Sequence, residues 1–141
     1  MFNSSDLVLA ADSTHKVNFV CDSQNYITQL FQEQLPSIQT GILNVHLSKG
    51  CIVEPHWDTN AAELIFVISG EIMTSVFNPS IQQLMTYKLK PGQASQFPKG
   101  WFHWIVALSD HVHFLAIFDV PTPDVILGSN FLRNVPSEIM K

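Results

Sequence analysis

Three residues whose side chains could share one ion lie in a short run between Gly50 and Gly70, Gly-Cys-Ile-Val-Glu-Pro-His-Trp-Asp-Thr-Asn-Ala-Ala-Glu-Leu-Ile-Phe-Val-Ile-Ser-Gly. His56 and Asp58 stand two positions apart, so on a strand both side chains leave the same face. Thr59 and Asn60 are turn formers, and a strand, tight turn and second strand would bring Glu63 back opposite that pair. Imidazole and carboxylate are the donors expected for a divalent first-row metal, and strands can preorganise two to four of them. The competing reading is that His56 and Glu63 simply hydrogen-bond each other in a metal-free fold.

A second stretch, Gly92-Gln-Ala-Ser-Gln-Phe-Pro-Lys-Gly-Trp-Phe-His, supplies the remaining candidate. Pro98-x-Gly100 signals a tight turn before an apolar strand, and His103 sits where that strand begins. The other histidines are weaker candidates. His113 reads either as a residue behind the metal ligands or, preferably, as a hydrogen-bonded structural side chain. His46, on an alternating strand, reads as a surface or interface residue, and His15 and His111 flank turns. Trp57, Trp101 and Trp104 are better explained as packing than as the lining of a pocket mouth.

The elements that would position these residues are short. Residues 17–20, 26–31, 42–47, 72–77, 84–89, 94–97, 104–107 and 112–119 combine β-branched and aromatic residues between turn signals, with a helical turn over 29–35 as an alternative. Residues 64–68 are apolar at every position, which predicts a strand buried on both faces. Strands at this spacing indicate an all-β sandwich or barrel. Pro121 and Pro123 break the pattern, and Pro136 opens a short helix over 137–141. The division expected is an N-terminal arm (1–16), a β-barrel domain (17–120) and a C-terminal tail (121–141).

Only 13% of residues are charged and 46% are hydrophobic, against roughly 25% charged in an average soluble domain. So few charges predict that part of the apolar excess is buried between subunits of a homo-oligomer. A net charge of −5 with seven Lys and Arg gives no basic stripe and argues against nucleic acid. No apolar run reaches bilayer length, and the apolar patch near Met1 has no basic leader, so the expectation is a cytoplasmic protein with no membrane partner. Cys21 and Cys51 are then expected to be free thiols.

Taken together, Gly50-x5-His56-x-Asp58-x4-Glu63-x6-Gly70 and Gly92-x5-Pro98-x-Gly100-x2-His103 resemble the paired motifs of the cupin superfamily, in its germin and oxalate decarboxylase branch. The resemblance implies a jelly-roll barrel (double-stranded β-helix) with a short helical tail. It also implies a metal held by His56, the residue at 58, Glu63 and His103, with manganese first and iron, nickel or zinc next. Asp58 stands where that branch usually has His, which makes an M²⁺ site neutral rather than singly positive. The branch's substrate-gripping Arg corresponds to Val53, the Asn closing the second motif to Ala107, and the lid stretch after residue 119 has no Glu, only Asp124. These departures argue against oxalate decarboxylation itself. They leave a metal-binding cupin holding a small-molecule ligand, either an oxidoreductase or lyase on a small organic acid with Asp124 as acid/base group, or a non-catalytic binding or storage oligomer. A germin-like disulfide between Cys21 and Cys51 is the one covalent feature the resemblance would add.

Overall fold

The computed structural model describes residues 8–56, 60–124 and 132–134, including all their side chains but those of 54–56, 133 and 134. Among them there is no helix. In chain order the strands are β1 (Lys16–Asp22), β2 (Asn25–Leu30), β3 (Gly41–Leu47), β4 (Cys51–His56), β5 (Glu63–Ser69) and β6 (Ile72–Asn78). They continue with β7 (Gln83–Leu89), β8 (Ala94–Phe97), β9 (His103–Ala107), β10 (Val112–Phe118) and β11 (Leu132–Asn134). Two antiparallel sheets result, ordered β1-β2-β3-β10-β5-β8 and β11-β4-β9-β6-β7.

Alternation decides what fills the space between them. Leu43, Val45 and Leu47 of β3, Ile65 and Val67 of β5, and Phe114, Ala116 and Phe118 of β10 point inward and are all buried. From the other sheet Ile72 and Val76 of β6 and Ile105 and Ala107 of β9 meet them, and one continuous core forms. This is the all-β jelly roll that the sequence predicts. The tail also contributes, because β11 pairs with β4 through Leu132↔Val53, Arg133↔Ile52 and Asn134↔Cys51. The helix expected over 137–141 lies outside the described residues.

Three expectations change. Leu64 and Ile68 are 40% and 43% exposed, so β5 is buried on one face only, as an antiparallel sheet with no layer behind it permits. β4 and β5 do not form a hairpin; they belong to opposite sheets. The strands that carry His56 and Glu63 therefore lie in opposite walls of the barrel, not across a turn in one ribbon. Residues 31–35 make one isolated turn, with the Gln34 and Leu35 amides donating to the Phe31 carbonyl, and go no further as helix.

Both cysteines are free, Cys21 exposed and Cys51 buried, so the germin-like disulfide is absent. Burial pushes the Cys51 thiol up to about 12, which keeps it protonated and unreactive. No described helix is long and apolar enough to cross a membrane.

Candidate metal centre

The Pro98-Lys99-Gly100-Trp101 turn sets the approach to His103. The Trp101 amide donates to the Pro98 carbonyl at 3.1 Å, and Gly100 takes φ +82°, a conformation a side chain would resist. The chain thus enters β9 with the Trp101 carbonyl beside the His103 ring. His103 Nδ1 lies 2.9 Å from that oxygen. A carbonyl can only accept, so Nδ1 carries the hydrogen and the neutral ring presents its lone pair at Nε2.

Phe97 fixes the plane of the ring, stacked at 4.0 Å between centroids and 19° between planes. His103 is 1% exposed and Glu63 5%. Glu63 is the first residue of β5 and pairs with Phe97 of β8 and Phe118 of β10. From this opposite sheet its Oε1 comes within 3.8 Å of His103 Nε2. That separation is too long for a hydrogen bond. Two metal–ligand bonds of about 2.1 Å can span up to about 4.2 Å, so both atoms can reach one ion. The donor pair therefore fits a divalent metal.

The His56 backbone lies on β4 directly across from His103, after a register shift that follows Val53. Its side chain, and Asp58 and Trp57 entirely, lie outside what is described. Among the described residues no three His, Cys, Asp or Glu side chains gather as a metal-binding group. Asp124 is exposed. Its amide donates to Asn60 Oδ1 at 2.8 Å, which ties the start of the tail to the connection leading into Glu63.

The wall around the pair is apolar. Val53 is 4% exposed and Ala107 is fully buried, so the positions of the branch's Arg and Asn are occupied by inward-facing hydrocarbon. A cleft of about 290 Å³ opens between β7 and β8, lined by Val76, Met85, Tyr87, Gln96 and Trp101 among others. Val76 is the register partner of His103. Phe97 and the Trp101 carbonyl were not singled out from the sequence as ligand-positioning groups, although both lie within the Gly92 to His103 stretch.

The remaining histidines separate from this centre. His113 lies on the outer face of the six-stranded sheet, its Nε2 3.0 Å from Asn44 Oδ1, as the structural reading expects. His46 stacks on it at 4.2 Å and on Tyr26 at 4.7 Å. Trp101 packs partly against the core, and Trp104 meets Phe102 edge-on at 6.2 Å.

A barrel of this topology, with carboxylate and imidazole donors brought inward from opposite sheets, defines a cupin. Residues 16–141 match the cupin family, and the chain belongs to it. It is 28% identical over 121 residues to a germin-like protein, subfamily 3 member 1, of Arabidopsis thaliana, covering 81% of this chain and 57% of that one. It is 33% identical over 116 residues to a probable oxalate decarboxylase of Arthroderma benhamiae, covering 79% and 28%. The chain thus spans just over half of the germin-like protein and just over a quarter of the probable oxalate decarboxylase. Among solved structures, procruciferin, an 11S globulin from Brassica napus, shares the fold with a TM-score of 0.73 at 20% identity, covering 80% of this chain and 30% of that one.

Proposed function

We propose that this cupin holds a divalent metal at His56, Glu63 and His103, with Asp58 as a fourth ligand, and binds a small oxygen-bearing molecule beside it. The observation that carries the reading is the fixed tautomer of His103. A ring whose far nitrogen donates to a backbone carbonyl, and whose near nitrogen faces a buried carboxylate, is arranged as metal-ligating histidines are. Manganese is the first choice among ions suited to mixed imidazole and carboxylate donors, followed by iron, nickel and zinc. A bound metal would supply Lewis-acid polarisation of the ligand oxygen. The chain's own residues would do the rest: Glu63 and His103 orient the ion, Phe97 and Trp101 hold His103 still, and Asp124 carries a proton at the tail.

Val53 and Ala107 make the interior a poor host for a small dianion, since neither offers a charge or hydrogen bond to a second carboxylate. The ligand class proposed is therefore a small organic acid or diol with an apolar body, and the reaction class an oxidation or a lyase step. The same two residues favour a second reading, a non-catalytic ligand-binding or storage oligomer. In either case the working form is a homo-oligomer without nucleic-acid or membrane partners, in the cytoplasm.

Elemental analysis of protein purified without added metal tests the centre. About one divalent ion per chain in the wild type, falling at least tenfold in His103→Ala and His56→Ala, is expected; equal metal content in all three would overturn it. Metal-dependent loss of O₂ or of an organic acid selects the enzyme, whereas ligand binding that survives chelation without turnover selects the binder.

A further inference from the structure

Tyr26, His46 and His113 stand side by side on β2, β3 and β10 and form one ladder of rings. Successive rings lie 4.7 and 4.2 Å apart between centroids, 18° and 13° from parallel. That is close to the ~4.8 Å between neighbouring strands, so the sheet itself sets the spacing. The next strand, β5, shifts register and places Ser69 opposite His113. The ladder is therefore one ring short, because an exposed hydroxymethyl group stands where a fourth ring would. Asn44, one row away, is buried and bonded to Ser13 of the arm. The ladder instead borders a cleft of about 440 Å³ that runs from Ser23 and Gln24 in the β1–β2 turn to Ser69 and His111 at the far end. Seven of its nine lining residues are polar, yet none is a carboxylate, a lysine or an arginine.

We infer that this cleft binds a neutral, planar heteroaromatic ring, seated above Ser69 against the face of His113 turned away from His46. The site is separate from the metal centre and does not rest on it. Shape selects a flat ring. One face of His113 is covered by His46, and the other looks along the ladder toward Ser69, where an offset-stacked ring at roughly 4.5–7 Å would continue the series. Charge selects a neutral one. The lining holds no fixed cation for an anion and no carboxylate for a cation, and a chain of net charge −5 repels anions. Burial lowers both imidazoles from the usual 6.5, so near neutral pH they stack as uncharged rings. The edge of the guest selects a heteroaromatic over a hydrocarbon. A ring standing in line with the ladder would turn its inner edge to the Ser69 hydroxyl and its rim to His111, and both can bond an N–H or O–H there.

Titration of the whole chain with indole, followed by NMR on the histidine ring protons, tests the site. A saturable upfield shift is expected at His113, a smaller one at His46 and none at His103. Cyclohexanol, neutral and hydroxylated but not flat, should bind about fivefold more weakly or worse. Ser69→Trp supplies the missing ring from the chain itself. In that variant the His113 resonances should stand upfield before any probe is added, and indole should bind about fivefold more weakly. No saturable shift at His113, an equal response to cyclohexanol, or unchanged indole binding in Ser69→Trp overturns the site. A shift at His103 in place of His113 puts the probe inside the barrel and overturns it equally. If Ser69→Trp folds poorly, the wild-type comparison of indole with cyclohexanol still decides.

Discussion

His103 inside the barrel and the His46–His113 pair outside it are set on different strands by the same alternation, yet only the first aims a ring nitrogen at a carboxylate. His103 is one imidazole fixed edge-on, with Nε2 aimed at Glu63 from the facing sheet. His46 and His113 are neighbours in one sheet and lie face to face, 13° from parallel. Stacked rings direct their lone pairs side by side, so no ion can sit between them, whereas ligands from opposite walls converge. The difference teaches that what lets a histidine ligate is whether its ring nitrogen is aimed at another donor or its face is laid flat on a neighbouring ring, and sequence spacing alone does not say this.

The largest effect should follow from changes at the inner centre. His103→Ala removes the ring stacked on Phe97 and its bond to Trp101, and should cost roughly 2–4 kcal/mol of stability as well as the metal. Glu63→Gln keeps the shape and removes a buried charge, so metal retention should fall at least about tenfold while the metal-free protein melts at the same temperature or higher. If His46→Ala lowered metal content as much as either, the distinction between inside and outside would collapse.

Next comes Gly70→Ala, which acts on the outer pair alone. At φ +78° a Cβ there would lie 2.5 Å from the His111 carbonyl and 2.9 Å from Val112 Cγ2, backbone and side chain that seat His113. A loss of about 2–4 kcal/mol is expected, with metal content per folded chain unchanged. Gly92→Ala, also at positive φ but facing open space, should cost about 1 kcal/mol. Chemical denaturation of the two variants side by side would show whether the close approach or the backbone conformation dominates.

Asn44→Leu should cost less, about 1–2 kcal/mol. Asn44 Nδ2 donates to the Ser13 carbonyl at 3.1 Å and contacts Ser13 Oγ at 2.7 Å. That fixes which way the amide points, so Oδ1 accepts from His113 Nε2. A thermal midpoint within about 1 °C of the wild type would mean that this bridge contributes nothing.

Much of this was legible before any coordinates. The Pro98-x-Gly100 turn, the start of β9 at His103 and nearly every strand follow from turn chemistry and alternation, because those are local. What was not legible depends on which sheet a strand joins. The run from His56 to Glu63 reads as a hairpin, but the strands at its two ends belong to opposite sheets, and local sequence carries no sign of that. Residues 64–68 read as buried on both faces because apolar character does not distinguish a face covered within the chain from one left bare. The row Tyr26, His46, His113 joins residues far apart in sequence, so only pairing of β2, β3 and β10 reveals it.

The smallest effect expected is a pH dependence confined to the outer pair. Burial lowers both imidazoles from the usual 6.5, and the nearby His113 charge lowers His46 further. Ser23, Gln24, Tyr26, Asn44, Ser69 and His111 are the other polar groups beside them, and none is a carboxylate that would offset a positive ring. A base whose folded value lies below its unfolded one binds fewer protons when folded, so its contribution to stability is complete above about 6.5 and is lost as the pH falls toward the folded values. The thermal midpoint should therefore drop by a few degrees between about pH 7.5 and pH 5.5. His46→Phe keeps a ring stacked between Tyr26 and His113, removes one titrating group and the like-charge repulsion, and should flatten that slope. An unchanged slope in His46→Phe together with a flattened one in His103→Gln would place the titration at the inner centre, and the two environments would no longer be distinct.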